Sequence, residues 1–310
     1  MANQPIDRSH LSTEQMNPAA ADLHAMSVVD CVQLINQEDA LIAQAVAASK
    51  VQISALISAA EHGFSAAGRL IYLGAGTSGR LGVLDASEAP PTFHVEPGKV
   101  VGIIAGGDSA LRTSSESAED DPHGARGELA ALKLSDDDTL VGIAAGGTTP
   151  YVRGAFDIAR SFAPRITTGM ITCSDVEAPP SCEHLILLDT GPEVIAGSTR
   201  MKAGTATKLV LNTISTTLMV RSGRVYQNLM VDMRPTNDKL RDRAARVVSR
   251  LTGLEREQAL KQLDIAGNSV KAAVVMHTRG VNLDTASRLL ENARGRLGDV
   301  LQGHAGPDLW

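Results

Sequence analysis

Short runs of apolar, β-branched residues alternate with longer helical patterns through the middle of this chain. Each run ends in a glycine or a hydroxyl-rich turn, and the runs predict strands at 69–74, 100–106, 139–145, 166–173 and 184–189. Helical periodicity lies between them, at 78–86, 116–132 and 150–161. Continuous apolar strands that alternate with helices are typical of a parallel sheet covered on both faces. The pattern therefore predicts an α/β fold around five parallel strands.

The flanking regions have a different character. Residues 1–23 read as a polar arm, and 26–62 have a helical pattern in which Ser27 could cap the first helix. Residues 201–221 predict another helix, whereas 240–300 are charged and amphipathic without a strand pattern. We expect four parts: an arm with helices at 1–55, a sheet domain at 56–235, a helical module at 240–300 and a loose tail at 301–310.

Composition narrows the classes of function. The 310 residues include 43% hydrophobic residues, enough for a core, and the net charge of -6 argues against nucleic acid as the main partner. No apolar run approaches the length of a membrane span, and the polar N-terminus has no signal-peptide pattern. Cys31, Cys173 and Cys182 form no CxxC pair and no zinc-like spacing. We expect reduced thiols, a cytoplasmic location and no metal, membrane or nucleic-acid partner.

The loop after the first strand reads Gly74-Ala-Gly-Thr-Ser-Gly79 and has two competing interpretations. It satisfies the dinucleotide fingerprint, which also needs an acidic residue about 20 residues further on. The only candidate, Asp108, comes too late and lies in a Gly-Gly-Asp loop. A cradle for a sugar phosphate fits better, because helix-start N–H groups bind anions and Thr77 and Ser78 add hydroxyls. A tight turn without a ligand is the third possibility.

Two further loops resemble the first one. Gly106 and Gly107 follow the second strand, and Gly146-Gly147-Thr148-Thr149 follow the third. Because ligands bind beyond the carboxyl ends of parallel strands, these loops should meet at one mouth. Thr149 could instead serve only to cap the next helix.

Two acidic segments offer candidate acid–base groups. Glu88 lies in the segment 85–91, DASEAPP, where the prolines should stiffen the backbone and stop the helix. An acidic group at 116–121 opens the segment after the second strand, so a carboxyl there could meet Glu88. Alternatively, Glu88 is an ordinary surface glutamate, and the acidic group at 116–121 is a solvated helix face. His94, His123 and His184 are scattered and give little support to a metal site or a Ser–His pair.

A last polar stretch covers 192–204 and lies before the helix at 201–221. It contains Glu193, Ser198, Thr199, Arg200 and Lys202. Its cations could offset a substrate phosphate. Alternatively, these residues only cap the helix and contribute surface charge; the sequence favours neither interpretation.

Taken together, these segments resemble the bacterial N-acetylmuramic acid 6-phosphate etherases, which carry a sugar isomerase (SIS) domain. The combination of GTSGRLG, DASEAPP and STRMKAGT is specific, and the resemblance runs from about residue 11 to about residue 300. The matching segments are 13–18, 34–39, 72–82, 85–91, 104–107, 118–120, 191–194, 197–205, 208–212 and 228–232.

The resemblance implies an SIS-type parallel sandwich, a small ubiquitin-associated-like helical module and a homodimer. It also implies cleavage of the D-lactyl ether to N-acetylglucosamine 6-phosphate and D-lactate, by elimination and then water addition, without a cofactor. The family's proton donor matches Glu88, and its second catalytic glutamate matches Glu119. The substrate contacts would come from Thr77, Ser78, Gly79, Gly146, Gly147, Thr148, Thr149, Glu193, Ser198, Thr199 and Lys202.

The chain departs from the family in one loop. Where the family commonly has Ala-Ser-Gly-Arg-Thr-Pro, this chain has Gly146 in place of the serine and Thr148 in place of the arginine. One neutral hydrogen bond contributes about 0.5–1.5 kcal/mol, so we expect weaker phosphate binding rather than loss of function.

Three other functions remain as alternatives. A sugar-phosphate sensor of the glucokinase-regulator type shares the fold, but such regulators have two SIS domains and this chain has room for one. An NAD-dependent dehydrogenase is disfavoured by the position of Asp108. A ketose–aldose isomerase has the weakest support.

Overall fold

A computed structural model of the chain describes residues 7–113, 116–233 and 235–302. The chain divides into two units. The first unit comprises residues 1–87 and 98–215, and the second comprises 88–97 and 216–310.

The first unit contains the predicted five-stranded parallel sheet, with strand order β2-β1-β3-β4-β5. Gly74 pairs with both Ile104 and Ile143, so the first three strands end at the same level. The three glycine-containing loops therefore follow strands whose carboxyl ends share one edge of the sheet. The strands are β1 (Leu70–Gly74), β2 (Val100–Ile104), β3 (Thr139–Ile143), β4 (Thr167–Thr172) and β5 (His184–Leu187).

Helices cover both faces of this sheet. They are α1 (Val28–Asp39), α2 (Ile42–Ala48), α3 (Lys50–Ser65), α4 (Gly76–Phe93), α5 (Arg126–Leu132), α6 (Pro150–Phe162) and α7 (Lys202–Arg221). The pleat places Ile71, Leu73 and Leu140 in one core with α5 and α6. On this face Gly142 has no side chain, and a Cβ there would lie only 2.6 Å from the Phe156 ring. Small residues on the strands thus let the helices pack closely.

Two predicted helices have different extents in the structure. The prolines of α4 do not stop it: Pro90 and Pro91 lie inside the helix, which ends at Phe93. Each proline removes one hydrogen bond from the helix, yet the helix continues and closes with a 2.9 Å bond from the His94 N–H to the Pro90 carbonyl. The predicted helix 116–132 is instead a 3-10 turn at Glu116–Glu119 and the separate α5.

The N-terminal arm is mostly exposed over its described part, but a few of its residues pack against the fold. It forms three 3-10 turns, and Leu11 and Thr13 are buried. Thr13 Oγ1 lies 3.2 Å from Ser174 Oγ, just after β4. Ser27 caps α1 as predicted, since its hydroxyl accepts a 3.2 Å bond from the Asp30 N–H.

The second unit contains the predicted C-terminal helices and a small hairpin that the sequence pattern did not suggest. Its described elements are β6 (Val225–Tyr226), β7 (Leu229–Met230), α8 (Asp238–Thr252), α9 (Arg256–Ile265), α10 (Val270–Arg279), α11 (Leu283–Asn292) and α12 (Leu297–Gln302). Asp232, after the hairpin, pairs with the buried Lys271 at 2.8 Å and with Arg224 at 3.3 Å. The loose tail was predicted at 301–310; Leu301 and Gln302 instead end α12, and residues 303–310 lie outside the described residues.

No single helix among the described residues is long and apolar enough to cross a membrane. Two consecutive segments, residues 28–48 and 50–65, have the required length and apolar character only when they are taken together. The angle between these two segments is 54°.

A buried ion pair joins the starts of two central strands. Asp138 accepts hydrogen bonds from the Arg69 N–H at 2.7 Å and from Arg69 Nη2 at 2.6 Å, and also from the Ser135 N–H. Burial works to raise the pKa of the Asp138 carboxyl, but the bonds from Arg69 and Ser135 outweigh it and leave the pKa below its usual value.

We predict that Asp138→Asn lowers the free energy of unfolding by about 1.5–3 kcal/mol at pH 7, because the partly exposed Arg69 loses its charge-assisted hydrogen bonds to the buried carboxylate. The lowered pKa stabilises the fold above about pH 4, and that contribution is lost as the pH falls through the folded-state pKa. Urea unfolding of both proteins should therefore show a gap that narrows in acid. Asp136→Asn, at the exposed pair with Arg165, is the matched control and should have far less effect.

Candidate active site

The first turn of α4 follows β1 almost without a connection. A Cβ at Gly79 would lie 2.7 Å from the Gly74 carbonyl oxygen and 2.7 Å from the Ile104 side chain. Gly79 is buried, so its role is the close packing of α4 against the sheet, whereas Thr77 and Ser78 are half-buried. The N–H groups of a helix's first turn have no partners within the helix and favour an anion.

The loop after β3 brings a second set of small polar groups to the same sheet edge. Gly147 has a φ of +72°, and a Cβ there would lie 2.5 Å from Val176, so only glycine fits. Thr149 is the N-cap residue of α6, yet in the described structure its side chain makes no capping hydrogen bond. The interpretation of Thr149 as a simple helix cap is therefore wrong.

Thr148 has a partner from the N-terminal arm. Its Oγ1 accepts a 3.2 Å hydrogen bond from Arg8 Nε. The arm also lies beside Gly146, where a Cβ would be 3.7 Å from both Leu11 and Thr13. A guanidinium group from the arm thus reaches the loop of residues 146–149.

Glu193 serves the fold directly. Its side chain is fully buried, and its two oxygens accept 2.9 Å hydrogen bonds from the N–H groups of Lys202 and Ala203. The carboxylate therefore caps the N-terminus of α7, where its charge also suits the helix dipole. The expectation that Glu193 contacts substrate gives way to this capping role.

Lys202 is also used internally, contrary to the expectation that its charge faces a ligand. It is 2% exposed, and its Nζ lies 2.5 Å from Glu38 Oε2 on α1. The same Glu38 oxygen accepts a 2.8 Å bond from Asn17 of the arm. Ser198 and Thr199 remain half-buried in the loop that leads to α7.

A cavity of about 270 Å³ opens between the first turns of α4 and α7. Arg200 and Lys208 are both exposed and supply its two positive charges. Sequence reasoning did not single out Lys208, although its spacing of four and eight residues from Gly204 and Arg200 suits one face of a helix. The cavity is lined by Thr77, Leu81, Arg200, Gly204, Thr205 and Lys208.

The two candidate catalytic glutamates lie in different units. Glu119 is half-buried at the end of the 3-10 turn Glu116–Glu119 in the first unit. Glu88 is exposed in the body of α4 and belongs to the second unit.

Two of the three cysteines, Cys173 and Cys182, are poor nucleophiles. Burial, together with the nearby Glu193 charge, raises the pKa of the Cys173 thiol to about 12, and burial raises that of Cys182 to about 11. Both thiols stay protonated at neutral pH. Within the described ranges, no group of three or more His, Cys, Asp or Glu side chains is arranged to hold a metal ion.

The five-stranded parallel sheet fits the SIS class of sugar-phosphate domains. Residues 50–160 match the family model described as the glucokinase regulatory protein N-terminal SIS domain. Among solved structures, an E. coli CFT073 chain in complex with A5P covers 66% of this chain and 97% of its own length, at 17% identity and a TM-score of 0.46.

Full-length relatives identify the family more narrowly. The N-acetylmuramic acid 6-phosphate etherase of Crocosphaera subtropica is 46% identical over 96% of this chain and 97% of its own length. The etherase of Gloeobacter violaceus is 48% identical over 97% of this chain and 98% of its own length. The chain belongs to the N-acetylmuramic acid 6-phosphate etherase family.

We predict that Lys202 acts through folding rather than through substrate contact. Lys202→Met alone should cost about 3–5 kcal/mol of unfolding free energy, because it leaves Glu38 buried without its charged partner. The double variant Glu38→Met with Lys202→Met should recover most of that loss, because neither charge then remains buried. The measurement is chemical denaturation together with the KM of each variant. A stable double variant with a strongly raised KM would contradict the structural role.

Proposed function

We infer that this chain is a carbon–oxygen lyase that cleaves the D-lactyl ether of N-acetylmuramic acid 6-phosphate. The products are N-acetylglucosamine 6-phosphate and D-lactate. The observation that carries this conclusion is the 46–48% identity to relatives named for this activity, over nearly the full length of both chains. The non-catalytic regulator is not favoured, because these relatives match the whole chain.

The reaction is an elimination followed by an addition. In the open-chain sugar, the C2 proton is acidic because it lies beside the aldehyde. A base removes that proton, the C2–C3 double bond forms, and the C3–O bond breaks as an acid protonates the departing lactate oxygen. Water then adds to C3, and a proton returns to C2.

We assign the acid to Glu88 and the base to Glu119. Both residues lie in segments that match the family's catalytic motifs, and two carboxyl groups suffice for both proton transfers. Glu88 is exposed and Glu119 is half-buried.

We assign the phosphate to the neutral loops at the edge of the sheet. The N–H groups at the start of α4 and of the Gly146–Thr149 loop would donate to its oxygens. Thr77, Ser78, Thr148 and Thr149 would add hydroxyl donors, and Ser198 and Thr199 offer two more. The enzyme would act as a homodimer in the cytoplasm, and exposed valines on α1, Val28, Val29 and Val32, are available for such a contact.

We predict that Glu88→Gln and Glu119→Gln each reduce the rate of D-lactate release by at least about 100-fold, because each removes a proton-transfer group. Binding of N-acetylglucosamine 6-phosphate, measured by calorimetry, should change little. Glu96→Gln is the matched control, since Glu96 is exposed just after α4 and lies in no catalytic motif. A fully active Glu88→Gln or Glu119→Gln protein would refute that residue's assignment.

We also predict that Arg8→Gln weakens binding of N-acetylglucosamine 6-phosphate several-fold, since the guanidinium adds a charge-assisted bond beside the Gly146–Thr149 loop. Thr148→Val should act in the same direction, because it removes the hydroxyl that holds Arg8. Calorimetric titration with the sugar phosphate measures both effects. Unchanged affinity in the Arg8 variant would show that the arm does not assist the phosphate.

A further inference from the structure

The substrate of the proposed reaction carries two anionic groups, the 6-phosphate and the lactyl carboxylate. The product sugar keeps only the phosphate. An enzyme that separates these two molecules needs a site for the carboxylate apart from its phosphate loops. Given the proposed function, the lactyl carboxylate therefore has a binding site of its own.

The cavity between α4 and α7 has the chemistry for a small carboxylic acid. Arg200 and Lys208 contribute two positive charges, and none of its six lining residues is acidic. Arginine binds a carboxylate through two parallel N–H groups, and lysine adds a compact charge with three donors. Leu81 provides an apolar wall against which the methyl of a lactyl group can pack.

Lys208 differs from an ordinary surface lysine because a chain of polar groups holds its ammonium. The hydrogen-bonding pattern orients the Asn212 amide so that its oxygen accepts from Lys208 Nζ at 2.5 Å and its nitrogen donates to Asp85 Oδ1 at 3.1 Å. Ser215 Oγ also donates to Asp85 Oδ1, at 3.2 Å. Asp85 and Ser215 are buried, so the chain is anchored in the interior of the first unit.

This arrangement lowers the entropic cost of binding. A free lysine side chain loses rotamer freedom when it is fixed on a ligand. Here Asn212 and Asp85 already restrict Lys208, and only one of its three donors is used by Asn212. Two donors remain for a ligand in the cavity.

We propose that Lys208, positioned by Asn212 and Asp85, binds the lactyl carboxylate together with Arg200 and so determines the preference for the muramyl over the glucosaminyl sugar phosphate.

The test compares two ligands that differ by the lactyl group. For Lys208→Gln, the KM for N-acetylmuramic acid 6-phosphate should rise roughly tenfold or more, as for loss of a charge-assisted hydrogen bond. The inhibition constant of N-acetylglucosamine 6-phosphate should stay within about twofold. If the KM and the inhibition constant rise by the same factor, Lys208 is a phosphate ligand and the proposal is overturned. The proposal is also overturned if neither value changes.

Asn212→Ala tests the positioning step, because Asn212 is not among the cavity-lining residues. It should raise the same KM by a smaller factor and spare the inhibition constant, an effect that general destabilisation would not produce. Lys50→Gln, at an exposed lysine that opens α3, should change neither value. Wild-type protein that releases no lactate would refute the proposed function itself; active wild type with an unselective Lys208→Gln would refute only this inference.

Discussion

The start of helix α7 depends on one buried arrangement of charge. Both carboxylate oxygens of Glu193 accept hydrogen bonds from the N–H groups of Lys202 and Ala203. The Lys202 ammonium pairs with Glu38. Leaving either charge without its partner in this setting would cost several kcal/mol. Asn17 also bonds to Glu38, so the arm, α1 and α7 are held together. Arg200 and Lys208 take their places at the cavity because this helix starts where it does.

This organisation divides the polar residues of the site into two groups. Those that turn inward, such as Glu193, Lys202 and Asp85, hold elements in place. Those that remain accessible, such as Thr77, Arg200 and Lys208, are available to a ligand. Neutral N–H groups and hydroxyls cluster at the sheet edge, whereas positive charge is concentrated in the cavity beside it. A substrate with two anionic groups fits this separation.

Much of the first unit could be predicted from the sequence. Continuous apolar runs mark all five strands, because parallel strands buried on both faces leave no alternation. The glycine loops could be placed at one edge because parallel strands share their direction. The expectation that Pro90 and Pro91 stop the helix was wrong, since α4 continues through both of them to Phe93 although each lacks the N–H of a helical hydrogen bond.

Whether an individual charged side chain binds a ligand or pairs within the protein could not be predicted from the sequence. Nothing in the spacing of Lys202 distinguishes a phosphate ligand from the partner of Glu38, 164 residues away. The packing of the arm was missed because its few buried residues, such as Leu11 and Thr13, show no periodicity. The hairpin β6–β7 escaped notice because strands of two residues leave no pattern. The partner of Lys202, the buried residues of the arm and the short hairpin all depend on contacts between residues far apart in the chain. A local sequence pattern does not encode such contacts.

Elimination across C2 and C3 exchanges the C2 proton of the sugar with solvent, so deuterium at C2 is its signature. N-acetylmuramic acid 6-phosphate is incubated with the protein in D2O, and the sugar product is examined by NMR and mass spectrometry. We expect N-acetylglucosamine 6-phosphate with one non-exchangeable deuterium at C2, formed together with D-lactate. A product that keeps its original C2 proton while lactate is released would refute the elimination.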